Sequence, residues 1–467
     1  MSGAAGSREC VAPSPPLLRV ENAYDTPERI GRLAGLIEQL RDGKTVVCGT
    51  GDNTAPGVLS LVSEGRQALD FFRAVEPDVD TFGNHDFDHG FDAIRDIVAD
   101  SAQTWVSANV RDDGAPFAAA EGTVPRTVVK RGGHEVGVIG VTAPETPDIN
   151  PIAEPLAFAD PTAAVSEHAA TLRSEGVDHV VVVSHCGDDE ALARETDVDV
   201  VLGGHDHDEL VEHVDGTLLT RPGNGGRTLL EVGFDGKKPT AARHDVADGP
   251  LDESVAAALR DRMDRTGLTE VVTAVDEPIV LTERARKQAE SPVGNLVVDA
   301  HRWRANADVA LAIAGIRETD PLDGKVTAAD LVGLVPYGND LAVLELPGDR
   351  LREAFRELSV TYRYPDAPEW WFGHVSGARI VWDDRSESLV EATVDGESLT
   401  DDTTYTVAAS AYFVEADTLF SAFGPDDRID TAGAEHEALV EYARENGIDA
   451  ELDGRVERPH FERPTVR

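Results

Sequence analysis

The chain has 467 residues, enough for two or three domains with cores of their own. Its 41% hydrophobic and 28% charged residues exclude a disordered chain. A formal net charge of −45, with only six lysines among 42 basic residues, excludes a protein that lays a broad basic face on nucleic-acid backbone. Its three cysteines, Cys10, Cys48 and Cys186, contain no Cys-x-x-Cys, which argues against a disulfide framework and a zinc ribbon alike.

The first 26 residues, including "VAPSPPLLRVENAYD", are atypical: Pro15 and Pro16 interrupt any strand there, and no signal-peptide core is present. From 27 to 250, helix-like and strand-like segments alternate. "PERIGRLAGLIEQLRDG" is an amphipathic helix with Pro27 at its start and Gly43 just past its end. "KTVVCGTGDN" is a short buried strand and its exit. "EGRQALDFFRAV" is the next helix, and "PDVDTFGNHD" the next strand. "HEVGVIGVTAPE", "VDHVVVVSHCGDDE" and "VDVVLGGHDHDE" repeat the arrangement, which is that of an α/β domain. Residues 251–274, with "ESVAAALRDRMDRTG", form a helical connector. A second mixed α/β region, 275–467, contains "SPVGNLVVDAHRWRANADVALAIAG", "AADLVGLVPYGND" and "DRLREAFREL". No apolar span of 18 residues occurs, so no membrane partner is expected.

The strand exits carry the chemistry. "CGTGDN" offers Asp52 and Asn53; "FGNHDFD" offers Asn84, His85 and Asp88; "VVSHCGDD" offers His185; "LGGHDH" offers His205 and His207. A single Gly-Asp is an ordinary turn, and a single His after a strand is ordinarily a hydrogen-bonded side chain. Four such exits in order are a different matter, because functional sites of α/β sheets collect beyond the carboxyl ends of strands. Mixed Asp, Asn and His donors suit Mn²⁺, Zn²⁺, Fe or Co better than Ca²⁺. A carboxylate such as Asp52 can bridge two ions, and two ions make a clamp for phosphoryl transfer.

In this order, Gly-Asp-Asn, Gly-Asn-His-Asp-x-Asp, Ser-His and Gly-Gly-His-x-His, the chain resembles the calcineurin-like metallophosphoesterases, above all their two-domain 5′-nucleotidase branch. "SANV" (107–110), "ESPVGNLVVDA" (290–300), "AGIR" (314–317), "PYGND" (336–340) and "HVSGARI" (374–380) also fit that branch, so the resemblance spans about 27–465. It implies an amino-terminal four-layered α/β/β/α sandwich holding two divalent metal ions, and a mixed α/β carboxyl-terminal domain that binds the rest of the substrate. Asp52 is implied to bridge the metals, Asn84, His185 and His205 to bind one, and His207 the other. His85, oriented by Asp88, is implied to stabilise the transition-state phosphoryl oxygens. Asn295 and Arg317 match substrate-contacting positions, Tyr337 matches one base-stacking ring, and Tyr412 or Phe413 the second.

The chain departs from the pattern in three places. Where the family opens with Asp-x-His, spacing to the first helix puts Arg19 and Glu21; Glu21 can offer an oxygen to a metal, Arg19 cannot. The glycine run before Arg317 is reduced to Gly315, and "SAYFVEADTLFSAF" lacks the Gly-Gly-Asp-Gly character that follows the second aromatic. The expectation is a metal-dependent phosphohydrolase that removes the 5′-phosphate of a nucleotide. Two alternatives stand beside it: a phosphodiesterase acting on cyclic nucleotides or nucleotide sugars, and a metal-depleted nucleotide-binding protein with little turnover. The expected partner is a small nucleotide or other phosphoester, with no nucleic-acid polymer. The acidic, lysine-poor composition adds a cytoplasmic, halophilic setting.

Overall fold

The valines at 180–183 set the layering of the first domain, since alternate side chains enter two different cores. The computed structural model describes residues 8–12, 25–234, 238–280, 290–313, 316, 321–364, 372–415, 419–449 and 451–461. Two compact units emerge, one ending at Thr266 and the other beginning at Gly267.

In the first unit, α1 (Asp25–Leu40) and α2 (Ala68–Val75) precede a short strand β1 (Val79–Asp80), which pairs in parallel with β2 (Thr104–Trp105). The larger sheet then follows: β3 (Arg126–Arg131), β4 (His134–Thr142), helix α3 (Pro161–Glu175), β5 (His179–His185), helix α4 (Asp189–Glu195), β6 (Val200–Gly203), β7 (Glu209–Val214) and β8 (Thr217–Pro222). Its strand order is β7-β8-β6-β5-β4-β3, with β4, β5, β6 and β8 parallel. Val181 and Val183 pack with Val46, Cys48, Val79 and Val106 between the two sheets. Val180 and Val182 pack with Val165, Leu172 and Leu192 under α3 and α4. On the far side, Phe72 of α2 meets Trp105 edge to face, with ring centroids 6.2 Å apart. Helix α5 (Glu253–Arg265) packs with α1 and α2. The order of layers is therefore helix, sheet, sheet, helix. Gly140 of β4 is glycine for contact: a Cβ there would collide with the carbonyl of Val106.

The second unit has its own core. Helix α6 (Pro292–Ala305), capped by Ser291 Oγ accepting from Gly294 N, leads into β9 (Val309–Ala312). Strands β10 (Asp340–Pro347), β11 (His374–Ser376), β12 (Thr404–Ser410) and β13 (Arg428–Ala434) complete a five-stranded mixed sheet in the order β11-β9-β12-β10-β13. Helix α7 (Glu435–Asn446) follows directly on β13. Among the described residues no helix is long and apolar enough to cross a membrane.

Candidate active site

The first two metal-capable exits are built around a left-handed turn. Gly51 has φ +87° and Asp52 φ +55°. A non-glycine residue reaches this region only when its surroundings hold it there. The holder is Asp86. Its Oδ2 accepts from Asp52 N at 2.8 Å and Gly83 N at 2.7 Å, and its Oδ1 accepts from Thr54 N at 3.0 Å and Thr54 Oγ1 at 2.7 Å. One buried carboxylate thus joins two strand exits 34 residues apart. Burial, reinforced by the charge of Asp52, pushes Asp86 up to about 6. Beneath it, Asn53 Nδ2 donates to both oxygens of Asp80, at 2.7 and 2.9 Å, which explains why Asn53 turns away from the site.

Asp52 faces inward. Its Oδ1 accepts from His85 N at 2.8 Å, and its Oδ2 lies 3.1 Å from His185 Nε2. Burial alone would raise this carboxyl, but the His185 and His85 imidazoles outweigh it and hold it below the usual range, ionised. His185 Nδ1 is 2.7 Å from the carbonyl of Thr50, which cannot donate, so Nδ1 carries a proton; against the lowering effect of burial, the Asp52 carboxylate that Nε2 faces raises this imidazole and leaves Nε2 as the nitrogen that a proton or a metal would occupy. Asn84 Oδ1, also buried, makes no hydrogen bond. Buried acceptors without donors are costly. A carboxylate, an amide oxygen and imidazole nitrogens are a donor set that suits a divalent transition metal.

His205 stands beside them, its ring centroid 5.0 Å from that of His185 at 73°. Its loop is tied to β5 by Gly204 N donating to Ser184 O at 2.9 Å. His207, two residues on, is exposed. Among the described residues, no three His, Cys, Asp or Glu side chains converge as a ready-made metal cage. Of the expected ligand set, the contacts join Asp52 to His185 and His185 to His205. Glu21 and Arg19 lie outside the described residues, as does Arg317.

His85 is oriented separately. Its Nδ1 is 2.9 Å from Asp88 Oδ2. Asp88 Oδ1 in turn accepts from Asn150 Nδ2 at 3.0 Å, and the same amide donates to the carbonyl of Asn84 at 2.8 Å. Asn150 is not among the residues that the sequence singles out. Asp86 stands inside a quoted motif, but Asn150, in "PDINPIAEP", carries no local signal at all.

In the second unit, Asn295 is buried on the first turns of α6. Its Nδ2 donates to Glu290 Oε1 at 2.9 Å, while its Oδ1 has no partner. Tyr337 is partly buried. Phe413 is fully enclosed in the core and packs on Phe420, whereas Tyr412 is only partly covered. Of the two candidate rings, Tyr412 is the one with surface to offer a ligand.

Residues 24–209 match the calcineurin-like phosphoesterase family, and residues 269–425 match the 5′-nucleotidase carboxyl-terminal domain. The chain is similar to snake venom 5′-nucleotidase of Naja atra, 25% identical over 409 residues, covering 76% of each protein. It is similar to human 5′-nucleotidase, also 25% identical, over 76% of this chain and 70% of that protein. Among solved structures, a 5′-nucleotidase precursor from Thermus thermophilus superposes with a TM-score of 0.75 at 25% identity, over 97% of this chain and 99% of that one.

Proposed function

We infer that this chain, which joins a calcineurin-like phosphoesterase domain to a 5′-nucleotidase carboxyl-terminal domain and is a hydrolase of phosphoester bonds, is metal-dependent and releases phosphate from the 5′ position of nucleotides. Calcineurin-like metallophosphoesterases use divalent metals, and here Asp52, Asn84, His185 and His205 would hold them, with His207 and Glu21 completing a two-ion set. The observations that carry this reading are the buried contact of His185 Nε2 with Asp52 Oδ2 at 3.1 Å and the buried Oδ1 of Asn84, which makes no hydrogen bond.

When bound, divalent ions supply charge neutralisation for phosphoryl oxygens and acidify the attacking water. The protein's own residues do the rest. The Asp88 carboxylate takes the hydrogen bond of His85 Nδ1 and biases the imidazole toward its cation, so that Nε2 presents positive charge to a phosphoryl oxygen as negative charge develops there. Asp52 receives the backbone N–H of His85, which couples the position of the imidazole to the metal-binding carboxylate. Asn295, Arg317, Tyr337 and Tyr412 are the residues proposed to hold the nucleoside part, with Phe413 supporting Tyr412 from the core.

The test is phosphate release from AMP by metal-stripped protein with and without Mn²⁺, at low and molar KCl, next to cyclic nucleotides and a nucleotide sugar. Turnover of AMP that needs the metal supports the reading. Turnover confined to the cyclic nucleotide or nucleotide sugar replaces the substrate, and turnover indifferent to chelator removes the metal.

A further inference from the structure

The loop after β6 reads Gly203-Gly204-His205-Asp206-His207-Asp208. Imidazoles and carboxylates alternate along it, and both are competent metal ligands. Carboxylate oxygen suits harder ions and imidazole nitrogen softer ones. Which set turns inward therefore bears on which metal the site prefers. On the neighbouring strand β8, Arg221 engages three carboxylates. Its Nη2 lies 2.9 Å from Asp206 Oδ2, its Nη1 donates to Asp208 Oδ1 at 3.0 Å, and its Nε donates to Asp189 Oδ2 at 2.9 Å. The Arg221 side chain is only 10% exposed, while those of Asp206 and Asp208 are 40% and 60% exposed.

The third partner connects this hub to the site. Asp189 is fully buried, and its other oxygen accepts from Ser184 Oγ at 2.7 Å. Ser184 precedes His185. One guanidinium thus grips the His205 loop through two carboxylates and the His185 exit through a third. Only a planar fork with donors on three nitrogens does this; an ammonium cannot reach all three.

We propose that Arg221 is a positioning residue that withholds Asp206 and Asp208 from the metal, leaving the His205 imidazole, beside that of His185, to face it, and so sets the site's preference for softer, nitrogen-seeking ions such as Co²⁺ over harder ones such as Mn²⁺. The proposal rests on the metal-dependent reading of the site. An ordinary structural clamp, by contrast, would contribute stability without choosing between metals.

The experiment is calorimetric titration of metal-stripped protein with Mn²⁺ and, separately, Co²⁺, taking the ratio of the two dissociation constants, with apo thermal unfolding measured alongside. Arg221→Gln is expected to shift the ratio toward Mn²⁺ by about tenfold or more, in the range by which residues behind metal ligands act. Adding Asp206→Asn and Asp208→Asn to that variant is expected to return the ratio to within about threefold of the starting protein. Arg221→Lys, which keeps the charge and reaches fewer carboxylates, is expected to shift it partway, and carries the same test if Arg221→Gln does not fold. A ratio unchanged in Arg221→Gln, an equal loss of both metals, or a triple variant that stays shifted would overturn the proposal. Binding of neither metal by the unsubstituted protein would instead remove the metal reading itself, and this inference with it.

Discussion

Asn150 and Asp88 are joined by a 3.0 Å hydrogen bond, and the same amide nitrogen of Asn150 reaches the carbonyl of Asn84 at 2.8 Å. This single side chain braces the carboxylate behind His85 and the backbone of Asn84. Asn150→Ala leaves two buried acceptors without their donor, at a cost of about 1–3 kcal/mol in stability. It is expected to lower kcat about tenfold or more, with metal content and KM little changed, because His85 loses its fixed orientation. Metal analysis and steady-state kinetics on the purified variant check both parts; a fall in KM or metal content larger than that in kcat would assign Asn150 a different task.

His85 itself is expected to serve the phosphoryl group rather than the metal. Removing a preorganised donor of this kind costs about 10²–10³ in kcat. His85→Ala should therefore lose turnover by that factor while binding as much metal as the unsubstituted protein. If its metal content fell in step with its activity, the division of labour between Asn84 and His85 would be wrong.

A buried pair in the second unit predicts the pH dependence of stability. Glu435 and His301 face each other at 3.8 Å, Nε2 to Oε1, inside the core. Burial, with a smaller contribution from Asp340, raises Glu435 from 4.5 to about 8, and burial lowers His301 from 6.5 to about 4. Glu435 holds a proton that the unfolded chain releases, so its contribution is full below 4.5 and disappears as pH rises through 8. His301 behaves oppositely, and its contribution is lost only as pH falls from 6.5 through 4. Of this pair only Glu435 changes between pH 6.5 and 8, and its contribution falls by about 2 kcal/mol over that range. Denaturant unfolding at fixed salt should show a decline in the unsubstituted protein that is shallower by about 2 kcal/mol in Glu435→Gln. Equal slopes in the two proteins would mean that Glu435 is already ionised in the folded state.

The net charge of −45 predicts a strong response to salt. Self-repulsion among exposed carboxylates is screened within roughly 3 Å at molar ionic strength, against about 10 Å at 0.1 M. Raising KCl from about 0.1 to 2 M should raise the unfolding midpoint by about 5–15 °C, as screening relieves the compact state. A midpoint insensitive to KCl would mean that the ion pairs already balance the surface.

Much of the site was legible because each of its pieces has a local signature. The valines before "SHCGDD" announce a strand buried on both faces, and the small residues after each apolar run announce its exit. Asp52, Asn84, His85, Asp88, His185 and His205 all stand at such exits in the structure. Tyr412 and Phe413 could not be separated in this way, since both rings are compatible with a core. Burial distinguishes them: Phe413 is 3% exposed and packs against Phe420.

What the sequence by itself determined was the set of chemical groups and their attachment to strand ends, because hydrophobic period and turn residues act over a few positions. The tertiary structure alone decided which groups support them. Asp86 reaches Asp52 across 34 residues, Asn150 reaches Asn84 across 66, and Arg221 reaches Asp189 across 32. These hydrogen bonds follow from parallel pairing, of Cys48 with Val79 in one layer and of β4, β5, β6 and β8 in the other, which brings distant exits together, and no periodicity along the chain encodes which polar side chain will meet another there.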